Sequence, residues 1–206
     1  MQTGNLKTKK NFLKLLLKAL ICLPRGVRSC GKNVYISPLT EIRYPWRVVL
    51  AEGVVLERHA RLCANLKNSK ITIGDYTTIS PYALLRTNGG TIEIGRFCTV
   101  NDYTILYGYG GIKIGDDVHI ACHTTIVSSS HDYAKLGTDG FSKDLLGKGI
   151  VIENSVWIGA NVVIRDGVTI GTHSVIGAGS VVTRDIPAYS IAVGVPARVI
   201  KEIKQK

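Results

Sequence analysis

The chain is poor in aromatic residues, has a single methionine and contains no long apolar run. Aromatics make up 7% of its 206 residues, so a core must be built from aliphatic side chains; Ile, Leu and Val together number 61. No apolar stretch reaches the roughly 18 residues of a membrane span, which sets a spanning protein aside. The cysteines (Cys22, Cys30, Cys63, Cys98, Cys122) are odd in number and form no CxxC pair. That speaks against a disulfide framework or a zinc ribbon and for a reducing compartment. Acidic residues are missing from the first 32 positions. What is present, 45% apolar and 20% charged residues, describes a chain that folds. The length suits one domain, or one plus an appendage.

The charge is uneven. Lys and Arg number 26 against 15 Asp and Glu, a net +11. Eight of the basic residues (Lys7, Lys9, Lys10, Lys14, Lys18, Arg25, Arg28, Lys32) fall in residues 1–32, leaving the rest of the chain nearly neutral. A nucleic-acid binder more often spreads its cations over the folded surface, so no nucleic-acid partner is expected. Lys9–Leu23 reads as a basic amphipathic helix that Pro24 stops. Three readings stand open. Residues 7–23 could contact an anionic membrane surface. They resemble a signal peptide, although Lys14 and Lys18 interrupt the apolar region and no small-residue cleavage site follows. They could also cap an open end of the fold.

The body of the chain repeats every six residues. Leu50, Leu56, Leu62; Ile73, Ile79, Leu85; Ile94, Val100, Leu106; Ile114, Ile120, Ile126; and Ile152, Ile158, Ile164, Ile170, Ile176, Val182 are all aliphatic at steps of six. Ile36 and Ile42 fit an earlier coil. Gly often follows the aliphatic residue (Gly74, Gly95, Gly115, Gly159, Gly171, Gly177). The expectation is that it supplies a backbone conformation other residues reach only with strain. Four positions after the aliphatic residue stand small or branched side chains such as Val156, Val162 and Ser174. Six residues suit a short strand plus a corner, and three such units make one triangular coil. The pattern restarts at Ile-x-Ile-Gly (Ile71–Gly74, Ile92–Gly95, Ile112–Gly115). Stacked coils bring like positions into aliphatic ladders, which predicts an all-β parallel β-helix of roughly seven coils. Periodicity does not give its hand.

These repeats resemble the hexapeptide-repeat acyltransferases over about residues 33–201. The stretch Trp157–Lys201, WIGANVVIRDGVTIGTHSVIGAGSVVTRDIPAYSIAVGVPARVIK, is similar to the sugar and xenobiotic O-acetyltransferase branch. The resemblance implies a left-handed helix, against the usual crossover rule. It also implies a homotrimer with each site in a groove between neighbours, and acetyl-CoA as co-substrate without a metal. The organisation expected is a basic helical segment over 1–32, a β-helix acyltransferase domain over 33–193 with an extruded loop at 127–149, and a tail over 194–206.

The loop is where the ladder breaks. After Ile126 the next rung should fall at position 132; instead the rungs resume at Ile152. A long excursion from a regular solenoid is usually functional. At its root stands His131, followed by Asp132, read as a turn residue. Alcohols are poor nucleophiles at neutral pH, and imidazole has suitable basicity to take their proton. In the family a His at this place is the general base, which points to His131. The resemblance carries an acceptor-side Asn onto Asn101. The family's acidic acceptor contact one hexad later has no match, because Leu106–Gly111 reads LYGYGG and offers Tyr107 and Tyr109. Tyr109 and His119 are therefore candidate acceptor contacts, and a small galactoside substrate is not implied. Ala160 and Ala178 match positions whose backbone meets pantetheine. Thr183, Arg184, Arg198 and Lys201 match positions near the phosphates and adenine, where positive charge and hydrogen bonds serve. Trp157 reads as a wall residue, and His59 and His173 as surface corners. A zinc carbonic anhydrase is the rival within the fold. His119 and His123 stand four apart, a spacing that fits it poorly. The expectation is an acetyl-CoA-dependent O-acetyltransferase of a carbohydrate, cytoplasmic and peripheral at a membrane. N-acetylation of an amino sugar or antibiotic, or a silent scaffold, are the alternatives.

Overall fold

An aliphatic side chain at every sixth residue can be buried only if the chain turns a corner between successive ones. In the computed structural model, which describes residues 26–132 and 145–204, it does so throughout. The strands are two to six residues long and build three parallel sheets that wrap a triangular core. The first face stacks Val48–Leu50, Lys70–Ile73, Thr91–Ile94, Ile112–Ile114, Ile150–Ile152 and Thr169–Ile170, below which Ser29–Cys30 pairs with Val48–Leu50. The second runs from Tyr35–Ile36 through Thr99–Val100, His119–Ile120 and Trp157–Ile158 to Val175–Ile176. The third runs from Glu41–Arg43 through Leu84–Arg86, Ile105–Tyr107 and Thr125–Val127 to Val181–Val182. The result is a left-handed parallel β-helix of about seven turns.

All eighteen expected rungs are at most 3% exposed. Like rungs face each other in register, as in Leu50, Ile73, Ile94, Ile114, Ile152 and Ile170. Burial of one such side chain stabilises by about 1.5–3 kcal/mol against leaving it in water. Ile36 and Ile42 extend the ladders into the first coil, with Ile36 buried and Ile42 partly so. Residues 1–25, which hold most of the expected basic helix, lie outside the described residues. Gly26–Lys32 are described and enter the solenoid through Ser29–Cys30.

Two expectations need correction. The glycines after the rungs do not adopt an unusual backbone: none of Gly74, Gly95, Gly115, Gly159, Gly171 or Gly177 has a positive φ. Their role is close approach. A Cβ on Gly74 would stand 2.6 Å from the carbonyl carbon and oxygen of Gly95 in the next coil. The left-handed conformation falls two residues later, on Tyr76, Phe97, Asp117, Ser155 and His173 at one corner. At the next corner it falls on His59, Tyr82, Tyr103, His123 and Asn161. Such a conformation costs roughly 1–2 kcal/mol per L-residue. Ring stacking between coils, described below, and bonds from each corner N–H to the preceding coil offset it. Tyr103, His123 and Asn161 donate to the carbonyls of Pro81, Asp102 and Cys122. At the first corner, side chains accept backbone N–H groups across coils: Asp75 from Glu52, Asp116 from Arg96, Asn154 from Asp116. The Arg96 guanidinium also donates to Asp116, at 2.8 and 3.1 Å, and holds that carboxyl below its usual value.

The second correction concerns sulfur. Cys30 is disulfide-bonded, whereas Cys63, Cys98 and Cys122 are free. An odd total excludes a complete framework but not one crosslink, so cysteine number alone does not set the compartment. Burial pushes the Cys98 thiol up in pKa.

The C-terminal end closes with an antiparallel hairpin. Ser190–Gly194 continues the second face and Ala197–Glu202 folds back beside it. Among the described residues no helix is long and apolar enough to cross a membrane.

Candidate active site

The excursion after Ile126 begins as an ordered arm. Ser130–His131 pairs antiparallel with Leu145–Leu146, so the His131 backbone sits opposite Leu145 on a two-stranded stem. The stem leaves the corner between the third and first faces, and the His131 side chain is exposed. Glycines let the stem lie flat on the solenoid: a Cβ on Gly110 would be 2.7 Å from Gly147 and from the Ser128 carbonyl. On the return, the Asp166 carboxylate accepts the N–H groups of Lys148 and Gly149 at 2.9 Å. Tyr109, half-buried, occupies this same corner one coil earlier. The Gly110 N–H beside it donates to the Ser128 carbonyl at 2.8 Å.

Asn101 lies at the opposite end of the third face. It follows Thr99–Val100 at the corner from which Ile105–Tyr107 begins. Its Nδ2 donates to the Ile120 carbonyl at 2.8 Å, the structural role open to any corner asparagine. That bond fixes the amide plane, and the side-chain oxygen has no partner among the described residues. A shallow groove of about 470 Å³ lies here, lined by Asn101, Asp102, Tyr103, Ala121, Cys122 and His123. Ala160 and Ala178 stand at the same corner in later coils, linked by the Gly179 N–H to the Ala160 carbonyl at 2.8 Å.

The remaining candidates are spread out. His119 points outward from the second face. Its Nδ1 bonds the Thr99 hydroxyl at 3.0 Å and its Nε2 lies 3.3 Å from an Asp117 carboxylate oxygen. With both ring nitrogens engaged, it is a held surface group. Trp157 is its neighbour on the sheet, 58% exposed. Thr183 and the exposed Arg184 follow the last strand of the third face. Arg198 and Lys201, also exposed, lie on the C-terminal hairpin. His59 and His173 are surface corners, stacked on Tyr82 and Tyr189. Within one chain, therefore, Asn101, Ala160 and Ala178 share an edge, while His131 and Tyr109 share another. Among the described residues no group of three or more His, Cys, Asp or Glu could hold a metal ion.

This arrangement of coils, extruded arm and Gly-Val-Pro-Ala-Arg hairpin has counterparts. The family model for bacterial transferase hexapeptides (six repeats) matches residues 149–184. Galactoside O-acetyltransferase of Escherichia coli (strain K12) is 41% identical over 143 residues, covering 68% of this chain and 68% of the relative. The chain belongs to the hexapeptide-repeat acyltransferases. A 2,3,4,5-tetrahydropyridine-2,6-dicarboxylate N-acetyltransferase of Thermotoga maritima is 64% identical, over 59 residues only, 29% of this chain and 25% of the relative. Among solved structures of the family, AntD, an N-acyltransferase from Bacillus cereus, was captured with dTDP-4-amino-4,6-dideoxyglucose and coenzyme A. It superposes with a TM-score of 0.62 at 25% identity, covering 88% of this chain and 87% of that one.

The sequence reading missed one part of the site: the aromatic wall of the Asn101 groove, made by Tyr103 and His123. The signal was present as an aromatic residue three positions after each second-face rung.

Proposed function

We propose that this protein transfers an acetyl group from acetyl-CoA to a hydroxyl of a carbohydrate, either a polysaccharide or a lipid-linked sugar precursor. The observation that carries the acceptor chemistry is the 41% identity over 143 residues to a galactoside O-acetyltransferase. Coenzyme A as the acyl carrier is supported by its presence in a solved family relative.

In this proposal His131 takes the proton of the acceptor hydroxyl as its oxygen attacks the thioester carbonyl. A backbone N–H stabilises the tetrahedral oxyanion. Collapse expels coenzyme A as its thiolate, which receives the proton from the imidazolium. The free acetyl-enzyme does not form. Asn101 orients the acceptor, with Tyr109 and His119 at its periphery. Ala160 and Ala178 let the pantetheine approach backbone groups, and Thr183, Arg184, Arg198 and Lys201 meet the phosphate end. Because Asn101 and His131 lie at opposite ends of one face, a complete site joins two chains. This is the reason for proposing a homotrimer with sites between neighbours. Residues 7–23 hold the enzyme at the cytoplasmic face of a membrane, where a lipid-linked acceptor is presented. Replacing Lys14 and Lys18 by Glu would then slow acetylation of membrane-borne acceptors and spare soluble ones. Equal rates on both would remove the membrane role.

The test follows free thiol from acetyl-CoA across sugars, lipid-linked sugars and amino sugars, with His131→Ala as the control. Release that needs one hydroxyl acceptor and His131 is the expected result. The AntD complex with an amino sugar gives N-acylation a specific claim as the second reading. Release only with amino sugars would establish that reading instead. Coenzyme A binding without turnover would leave a scaffold.

A further inference from the structure

The corner that carries Asn101 has a feature the proposed reaction does not use. At its left-handed position, four successive coils place His59, Tyr82, Tyr103 and His123. Their rings stack at centroid distances of 4.8, 4.9 and 5.0 Å, with interplanar angles of 18°, 1° and 2°. Elsewhere among the described residues the corners stack in pairs only, as in Tyr76 on Phe97 and His173 on Tyr189. Tyr82 and Tyr103 are 43% and 48% exposed. Rings whose faces are covered by their neighbours show water their edges. The column therefore presents a row of C–H edges ended by phenol hydroxyls and imidazole nitrogens, one per coil.

Its position gives it a direction. The upper two members, Tyr103 and His123, line the groove beside Asn101. Above them the same corner changes to Asn161 and then Gly179, beside Ala160 and Ala178. So one edge is small-residued on the donor side of Asn101 and aromatic on the other side. The aromatic part runs from the groove toward the N-terminal coils, away from the place proposed for the acyl donor.

We infer that this column is a binding rail for an extended, neutral glycan chain whose reacting sugar sits at the Asn101 groove. The inference rests on the carbohydrate acceptor proposed above and extends it from a single sugar to a chain. Tyr and His side chains have only two side-chain torsions and are already held by stacking, so little freedom is lost when a ligand binds. Alternating C–H edges and polar tips match a chain that alternates C–H and hydroxyl groups. The four column positions carry no Lys or Arg, which a phosphate-backbone ligand would need for its charge.

The test offers one sugar as monomer and as oligomers of rising length, and reads kcat/KM from thiol release. Wild type gains in kcat/KM with length, mainly through KM. Tyr82→Phe with His59→Phe keeps stacked rings and removes two polar tips. These residues lie outside the Asn101 groove, so monomer turnover is unchanged while KM for the oligomer rises roughly 2–10-fold. Phe97→Leu, which breaks a stack at another corner, leaves the length dependence intact. Turnover of the monomer with no gain on lengthening, or a gain that the double variant keeps, overturns the rail and leaves the proposed reaction standing. If no sugar turns over, the proposed reaction fails. Calorimetric titration with the oligomers then decides: length-dependent binding weakened in the double variant supports the rail, and its absence overturns it.

Discussion

Replacing Gly74 by alanine separates two accounts of the repeat glycines. If the glycine were there for its backbone freedom, a residue tolerant of left-handed φ, such as asparagine, would substitute better than alanine. The geometry says otherwise. Gly74 has an ordinary φ, and a Cβ there would meet the Gly95 carbonyl at 2.6 Å and the Arg96 nitrogen at 2.9 Å, all backbone atoms of the next coil. A clash with backbone is not relieved by a side-chain rotation, so the coils must part locally. Overpacking of this kind costs about 1–3 kcal/mol. Alanine recovers about 0.4–1 kcal/mol by restricting the unfolded chain. The net loss is about 1–2 kcal/mol, which for a chain of this size lowers Tm by about 2–8 °C. Asparagine, being larger, should do worse. Gly179 is the counter-case, with φ +72° and nothing within 4 Å of an added Cβ. There asparagine should be tolerated and alanine should cost about 1 kcal/mol. Thermal and urea unfolding of the four variants decides the matter. A Gly74→Asn protein more stable than Gly74→Ala would refute the steric account.

Further outcomes follow from the same structure. His131→Ala should lower kcat by about 10²–10⁴-fold while acetyl-CoA binding, measured by calorimetry, stays unchanged. Asn101→Ala should raise KM for the acceptor more than for acetyl-CoA, in steady-state kinetics with each substrate varied. Ile126→Ala empties a fully buried rung just before the arm and should cost about 2–5 kcal/mol in urea unfolding. The hydrogen bonds from Arg96, side chain first and backbone N–H second, depress Asp116 in the folded state. Its contribution is thus present above the ordinary aspartate pKa of about 3.9 and is lost as pH falls through the lower folded value. Urea denaturation along this range should show the gap between wild type and Asp116→Asn closing as the solution is acidified.

The ladders were legible because burial imposes the period directly: a residue that is Ile at 114, 120 and 126 leaves the geometry little choice. The restart at Ile-x-Ile-Gly marked the first face for a similar reason, since both isoleucines point inward. The glycines were misread because a composition pattern reports that a side chain is unwelcome without saying why. Close coil contact and left-handed backbone give the same letter. The true left-handed positions carry Tyr, Phe, His and Asp, residues that ordinary propensity would not assign there, held by contacts from the next coil. His131 at the arm was legible as a break in period. Its separation from Asn101 across the third face was not, because a repeat gives each residue a face but says nothing of how faces of different chains meet. The tie at Cys30 was invisible for another reason: parity counts cysteines and does not pair them.

The stem of the arm has one more consequence. Ile112–Ile114 and Ile150–Ile152 lie side by side in the same register as every other pair on the first face, although the whole excursion intervenes. The scaffold is therefore indifferent to how much chain is looped out between them. Doubling such a loop costs only about 0.6 kcal/mol of closure entropy. Reactive surface can thus be lengthened, shortened or exchanged by insertion at this seam while the ladders beneath remain unaltered. Diversification of substrate and preservation of architecture are then governed by different stretches of the gene.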